Sequence, residues 1–209
     1  HPYVLSAWLG DGGTSGARIT HHPSETELID GIVALGYERS MAVHYFSAGS
    51  CNTYFGSSSK KHPGRMMKEL LELSLINNKH VPDIYLRASE QQRLELLAGF
   101  VDSDGSVEPK TGRVIFSNAN KRLIDAFESL ARSLGQKPYV YFEEPRVSTS
   151  GKIGRQRVYK CGFQATRTDF LKQGSVLNLD LEGNGMNIGL WEVGGSPLVS
   201  HVEFVNNGN

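Results

Sequence analysis

The sequence predicts an α+β fold built from two pseudo-symmetric αββαββα halves, and three observations carry that expectation. Residues 94–105 and residues 4–12 are both apolar helical runs that contain small side chains and end in Asp-Gly, with Asp104 lying 93 positions after Asp11. Leu123-Ile124-Asp125 echoes Leu28-Ile29-Asp30 at an offset of 95, so a second element is duplicated along with the first. Between these helices, short runs rich in β-branched and aromatic residues alternate with turn residues, the pattern of antiparallel strands.

Taken in order, residues 2–10 form the first helix, with Pro2 suited to its opening turn. A strand follows over 17–22. Ser24 and Glu27 form a capping box for a helix whose stripe of Leu28, Ile29, Ile32, Val33 and Leu35 stops at Gly36. Strands at 41–46 and 52–55 flank a Ser-Ala-Gly-Ser turn, and a helix runs from Pro63 through Met66, Met67, Leu70, Leu71, Leu73 and Ile76. Residues 77–86 are a connector because Pro82 interrupts any helix there. Ser89 and Gln92 cap the second motif helix, and Pro109-Lys110-Thr111-Gly112 turns a hairpin between strands at 107–108 and 114–117. A helix over 119–134 closes at Gly135, strands at 139–142 and 157–165 pair, and Thr168 starts a short helix. The expected division is 1–88, 89–173 and a tail of different composition, 174–209.

With 39% hydrophobic and 21% charged residues among 209, the chain has ordinary globular composition. No apolar run reaches the roughly 18 residues of a membrane span, and an intracellular protein, in cytoplasm or nucleus, is expected. The opening His1-Pro2 suggests a processed fragment or excised domain. Cys51 and Cys161 occupy similar strands, which favours buried thiols over a disulfide. Lys and Arg together number 22, as do Asp and Glu. Positive charge is nevertheless clustered, at Lys60, Lys61, Arg65 and Lys68 and again at Arg146, Lys152, Arg155, Arg157, Lys160, Arg167 and Lys172. Such clusters suit phosphate tracking or are solvated surface.

The paired runs have a physical logic of their own. Ser6, Ala7, Ala98 and Gly99 would let two helix backbones approach closely, which repays the cost of about 1 kcal/mol for a mid-helix glycine. Left-handed Gly12 and Gly105 would end the helices and set each Asp in a last turn, where a carboxylate meets the negative end of the macrodipole. Side by side, Asp11 and Asp104 would form a hard oxygen site suited to Mg²⁺ or Mn²⁺.

Leu97-Ala98-Gly99-Phe100-Val101-Asp102-Ser103-Asp104-Gly105 resembles the motif of the LAGLIDADG homing endonucleases, and Trp8-Leu9-Gly10-Asp11-Gly12 resembles the divergent first copy of intein-encoded members. The resemblance covers residues 2–173. It implies a monomer that makes a metal-dependent double-strand break at a long site in double-stranded DNA, with curved antiparallel sheets facing the DNA. Asp11 and Asp104 would be catalytic metal ligands, and Asp102 would serve packing or polar capping. Asn78-Lys79-His80-Val81-Pro82 resembles a lysine segment of an intein-borne relative, which implies a catalytic role for Lys79, the alternative being an ordinary linker lysine. Lys172, 68 residues after Asp104 as Lys79 is after Asp11, is its candidate counterpart. Lys60, Lys61, Arg65, Arg146, Lys152, Arg155, Arg157 and Lys160 would contact DNA, at base edges or phosphates. His21, His22 and His80 lack ligand spacing and are read as surface or DNA-contacting groups. Residues 188–209 weakly resemble a C-terminal splicing segment ending in Asn209, but Gly208 replaces the expected His and no splicing is expected. The alternative is a cleavage-deficient DNA-binding protein, or an RNA-binding maturase-like protein, of the same fold.

Overall fold

A computed structural model describes residues 1–46, 49–57, 62–108, 110–145 and 156–166. Two helices form its centre: α1 (Pro2–Asp11) and α5 (Glu90–Asp102). Neither has a polar stripe along its inner length, and residues 2–9 of α1 and 96–101 of α5 are buried, so each is enclosed on all sides.

The first half continues through β1 (Arg18–His21), α2 (Thr26–Ala34), β2 (Arg39–Tyr45), β3 (Cys51–Phe55), α3 (Arg65–Glu72) and α4 (Asp83–Leu86). After α5 come β4 (Gly105–Glu108), β5 (Arg113–Asn118), α6 (Lys121–Ser133), β6 (Tyr139–Glu143) and β7 (Val158–Gln164). Both sheets are antiparallel, ordered β1-β3-β2 and β4-β5-β7-β6. Strands β1, β3 and β2 correspond to β5, β7 and β6, and His21 pairs with Cys51 as Phe116 pairs with Cys161. The duplicated α+β architecture expected from the sequence is present. One strand is reduced: where the second half has β4, the first has only the bridge Gly12↔Ile19.

Alternation along the strands sends Ile19, Phe55, Val114, Phe116, Cys161 and Phe163 into the core. Phe116 stacks on Phe127 of α6 at 4.7 Å between ring centres, and Phe100 of α5 lies 4.9 Å from Phe116. Fully burying aromatic side chains of this size stabilises by about 2–3 kcal/mol each. Both cysteines are free and buried.

Several local expectations change. Gly12 ends α1 in extended backbone, at φ −72° and ψ 150°, rather than in the left-handed region. A side chain there would strike Trp8, its Cβ falling 2.2 Å from the Trp8 carbonyl, and one at Gly105 would fall 2.5 Å from Val101. Glycine is needed at both for space. Asp104 consequently lies beyond α5 and not in its last turn. Ser24 does not cap α2; Glu25 is the N-cap residue, and Ser24 is engaged with His22. Helix α3 stops at Glu72 because Ser74 turns left-handed at φ 56° and Leu75 N–H donates back to the Leu70 carbonyl, which drives Leu75 into the core. The connector contains α4, which starts directly after Pro82. The capping box of Ser89 and Gln92 is formed as expected.

Candidate metal and phosphodiester site

The site begins with how closely α1 and α5 approach. A Cβ on Gly99 would fall 2.3 Å from both the Ser6 hydroxyl and the Tyr3 carbonyl, and one on Gly10 would fall 2.2 Å from Ser103 Oγ. Ser6 opposes Gly99 and Gly10 opposes Ser103, so the helices run parallel in the register of the internal repeat. Asp11 and Asp104, the next residues in each chain direction, therefore emerge together at one end. Ser103 Oγ donates to the Gly99 carbonyl at 2.8 Å, and Tyr3 donates its hydroxyl to Asp102 at 2.9 Å. Asp102 is thereby tied to α1 inside the packed pair.

Burial is the largest influence on both site carboxyls. It pushes Asp11 up to about 7, with repulsion from Asp104 adding to the rise and Lys79 opposing it. Asp104 is also raised by burial, against a hydrogen bond from Asn118 and the charge of Lys79. Lys79 is the cation that meets the helix end: its Nζ donates to the carbonyls of Leu9 and Gly10 at 2.9 and 3.0 Å and lies 5.1 Å from the Trp8 ring centre. These are carbonyls that the end of α1 leaves without helical partners. Burial lowers the Lys79 ammonium to about 8, while Asp104 and Asp11 resist that fall.

Two carboxylates desolvated side by side form an oxygen-only donor pair, which fits a hard divalent cation such as Mg²⁺ or Mn²⁺. No cluster of three or more His, Cys, Asp or Glu side chains with metal-binding geometry occurs among the described residues. His21 instead contacts Thr53 and Cys51, His22 contacts Ser24, and His80 contacts the Asn78 carbonyl.

The proposed DNA-contacting residues are dispersed in role. Arg65 is held by Glu69 at 2.9 Å and by the Leu35 carbonyl at 3.1 Å, over the Tyr37 ring. Arg157 pairs with Glu144 and covers Phe142, whereas Lys160 donates to Glu143 at 2.7 Å. Lys60, Lys61, Arg146, Lys152, Arg155 and Lys172 lie outside the described residues, as does the tail. The strand alternation sets further polar and aromatic residues beside Lys160, outside the basic clusters of the sequence. On the sheet faces turned from the core stand Arg18, Thr20, Asn52, Tyr54 and His44 in one half, and Arg113, Ser117, Lys160, Tyr139 and Tyr141 in the other. Thr20 donates to Asn52 at 2.7 Å across two of these strands.

Asn118 and Asn120 were also missed. Asn118 Nδ2 donates to Asp104 Oδ2 at 2.6 Å, and Asn120 Nδ2 donates to the Lys79 carbonyl at 2.9 Å. The available signal was Asn120 in the N-cap position ahead of a helical stripe, which locates a cap and says nothing about the site.

Comparison with known proteins agrees with this architecture. A curated relative, the replicative DNA helicase DnaB of Mycobacterium intracellulare, is 38% identical over 136 residues, which are 65% of this chain and 19% of that protein. The chain thus spans about a fifth of that relative's length. Among solved structures, mesophilic variants of the homing endonuclease I-DmoI superpose with a TM-score of 0.51 at 15% identity, covering 80% of this chain and 89% of theirs. I-DmoI in complex with DNA and manganese superposes with a TM-score of 0.50 at 15% identity, covering 87% of this chain and all of that one, 100%. Residues 91–164 match the LAGLIDADG-like domain family, and the described chain has the LAGLIDADG fold.

Proposed function

We propose that this protein is a homing endonuclease of the LAGLIDADG type, which hydrolyses phosphodiesters in both strands of a long DNA site with Mg²⁺ or Mn²⁺. The observation that carries the reading is the convergence of Asp11 and Asp104, one from each half, at the end of a helix pair packed too closely to admit a Cβ at Gly99. Nothing about packing requires two half-buried carboxyls there. Their repulsion is a cost that a bound cation removes.

In this reading Asp11 and Asp104 hold the divalent ion. When bound, the ion supplies Lewis-acid stabilisation of the charge that builds on the scissile phosphate. Two carboxylates would leave such an ion open to water and phosphate oxygens. Water adds to phosphorus and gives up a proton, the bond to the leaving 3′ oxygen breaks, and that oxygen gains a proton, so that a 5′ phosphate and a 3′ hydroxyl result. Lys79 spends two of its three donors on Leu9 and Gly10 and keeps one for the phosphate, where a fixed charge lowers the barrier. The open sheet faces, with Arg18, Thr20, Tyr54, Ser117, Lys160 and Tyr141, would lie against the duplex. The same reading takes the chain as the intein-encoded type, with halves at 1–88 and 89–173 and a tail at 174–209 that is a splicing remnant or a linker. Lys172 remains the candidate lysine of the second half, and a monomer suffices because both carboxylates come from one chain.

The reading is tested on a plasmid library carrying randomised inserts, incubated with Mg²⁺ and sequenced at the ends produced. Wild type should give double-strand breaks within a defined long sequence, and the chain carrying both Asp11→Asn and Asp104→Asn should give none. Equal cutting by that double variant would refute the site. Retention of specific DNA by the wild type without cutting would establish the binding-protein alternative.

A further inference from the structure

The site described above has a support that reaches it from only one half. Asn118 closes β5, opposite Tyr159 of β7, and its amide orientation is fixed: Oδ1 accepts the Asn120 backbone N–H at 2.8 Å. That leaves Nδ2 as the group that donates to Asp104 Oδ2. Asn120 in turn uses Oδ1 to accept Arg122 N–H at 3.1 Å, as an N-cap of α6 does, and uses Nδ2 to reach the Lys79 carbonyl. Capping accounts for the bond from Arg122 N–H alone. The two amide donors run toward the site, Asn118 Nδ2 to the Asp104 carboxylate and Asn120 Nδ2 to the lysine segment, 41 positions away in sequence.

The offset of 95 that maps α6 onto α2 places Pro23 where the second half has Asn118 and Glu25 where it has Asn120. Proline has no side-chain donor. Glu25 takes the His22 N–H at 2.8 Å, and its charge opposes ionisation of Asp11. The first half therefore lacks the device, although the helix and strand it would stand on are both present.

We propose that Asn118 and Asn120 act together as positioning residues: Asn118 sets the Asp104 carboxylate for a divalent ion, and the Asn120 side chain sets the segment bearing Lys79. The proposal rests on the endonuclease reading and adds residues to it. One oxygen of Asp104 is engaged by Asn118, which orients the other for a ligand. A hydrogen bond behind a metal ligand of this kind governs metal affinity by about 10–100-fold.

The test compares wild type, Asn118→Leu, Asn118→Ser and Asn120→Ser by Mn²⁺ calorimetry, thermal melting, DNA affinity and single-turnover cutting of a selected site. Both Asn118 variants should bind Mn²⁺ about tenfold more weakly and cut about 10–100-fold more slowly, with DNA affinity unchanged. Asn120→Ser keeps a capping oxygen and the backbone N–H to Asn118, so its melting temperature and Mn²⁺ affinity should match wild type while cutting falls about tenfold. Wild-type Mn²⁺ affinity in both folded Asn118 variants would overturn the Asp104 assignment. Wild-type cutting by Asn120→Ser would overturn the Lys79 assignment. If wild type cuts no DNA, the endonuclease reading fails by itself, and the Mn²⁺ comparison still decides the role of Asn118.

Discussion

Asp11 and Asp104 stand at equivalent ends of duplicated helices, yet their surroundings differ. Asp104 receives a side-chain hydrogen bond from Asn118, whereas Asp11, raised to about 7, faces Glu25 and relies on Lys79 for its favourable charge. Lys79 itself is anchored to α1 through its ammonium and to the second half through its carbonyl, so the one described lysine of the site joins the two. The duplication has preserved the element that must be symmetric, the helix interface, and has let the supporting groups diverge. A carboxylate that is held needs less from its ligand than one that is not.

The largest effects should come from the carboxylates. Asp104→Asn and Asp11→Asn should each lower single-turnover cutting by on the order of a thousandfold. If one of them retained near-normal cutting of both strands, the site would belong to a single half. Next in size is the interface. Gly99→Ala places a methyl against Tyr3 and Ser6, including backbone that cannot swing aside, and should cost about 1–3 kcal/mol in denaturant unfolding. Gly10→Ala meets only the Ser103 side chain first and should cost less, so equal costs would show that the two crossings are alike.

A smaller effect separates the carboxylates without metal. The folded pKa of Asp11 is raised, so the folded chain keeps a proton that the unfolded chain releases, and stability falls as pH rises from about 4 through about 7. Asp11→Asn should therefore stabilise the metal-free protein by about 1–2 kcal/mol at pH 8 and leave it unchanged near pH 4. Melting across that range checks the sign; a loss of stability at pH 8 would mean that Lys79 outweighs desolvation. Smallest is Glu143→Gln, which frees Lys160 on the sheet face and should change stability by less than about 1 kcal/mol, read in the same melts.

Much of the architecture was legible because it is written in local signals. The repeated Asp-Gly runs, the Ser89 capping box and the stops at Gly36 and Gly135 each correspond to a backbone event within a few residues. Signals failed where a different residue did the same work, as when Ser74 took the left-handed position ending α3. They failed at Gly12 and Gly105 because crowding, and not φ, demanded glycine. At the site, the two aspartates and Lys79 could be found from motif and spacing. Asn118 and Asn120 could not, because their partners lie across a strand end and a connector, and no periodicity marks a hydrogen bond between distant segments.

The central claim is that Asp11 and Asp104 form one shared divalent site, and Mn²⁺ binding followed by paramagnetic resonance in the two single variants tests it most directly. Loss of the bound signal in Asp11→Asn and equally in Asp104→Asn, with circular dichroism unchanged, is the expected result. Undiminished Mn²⁺ binding in either variant would contradict a shared site.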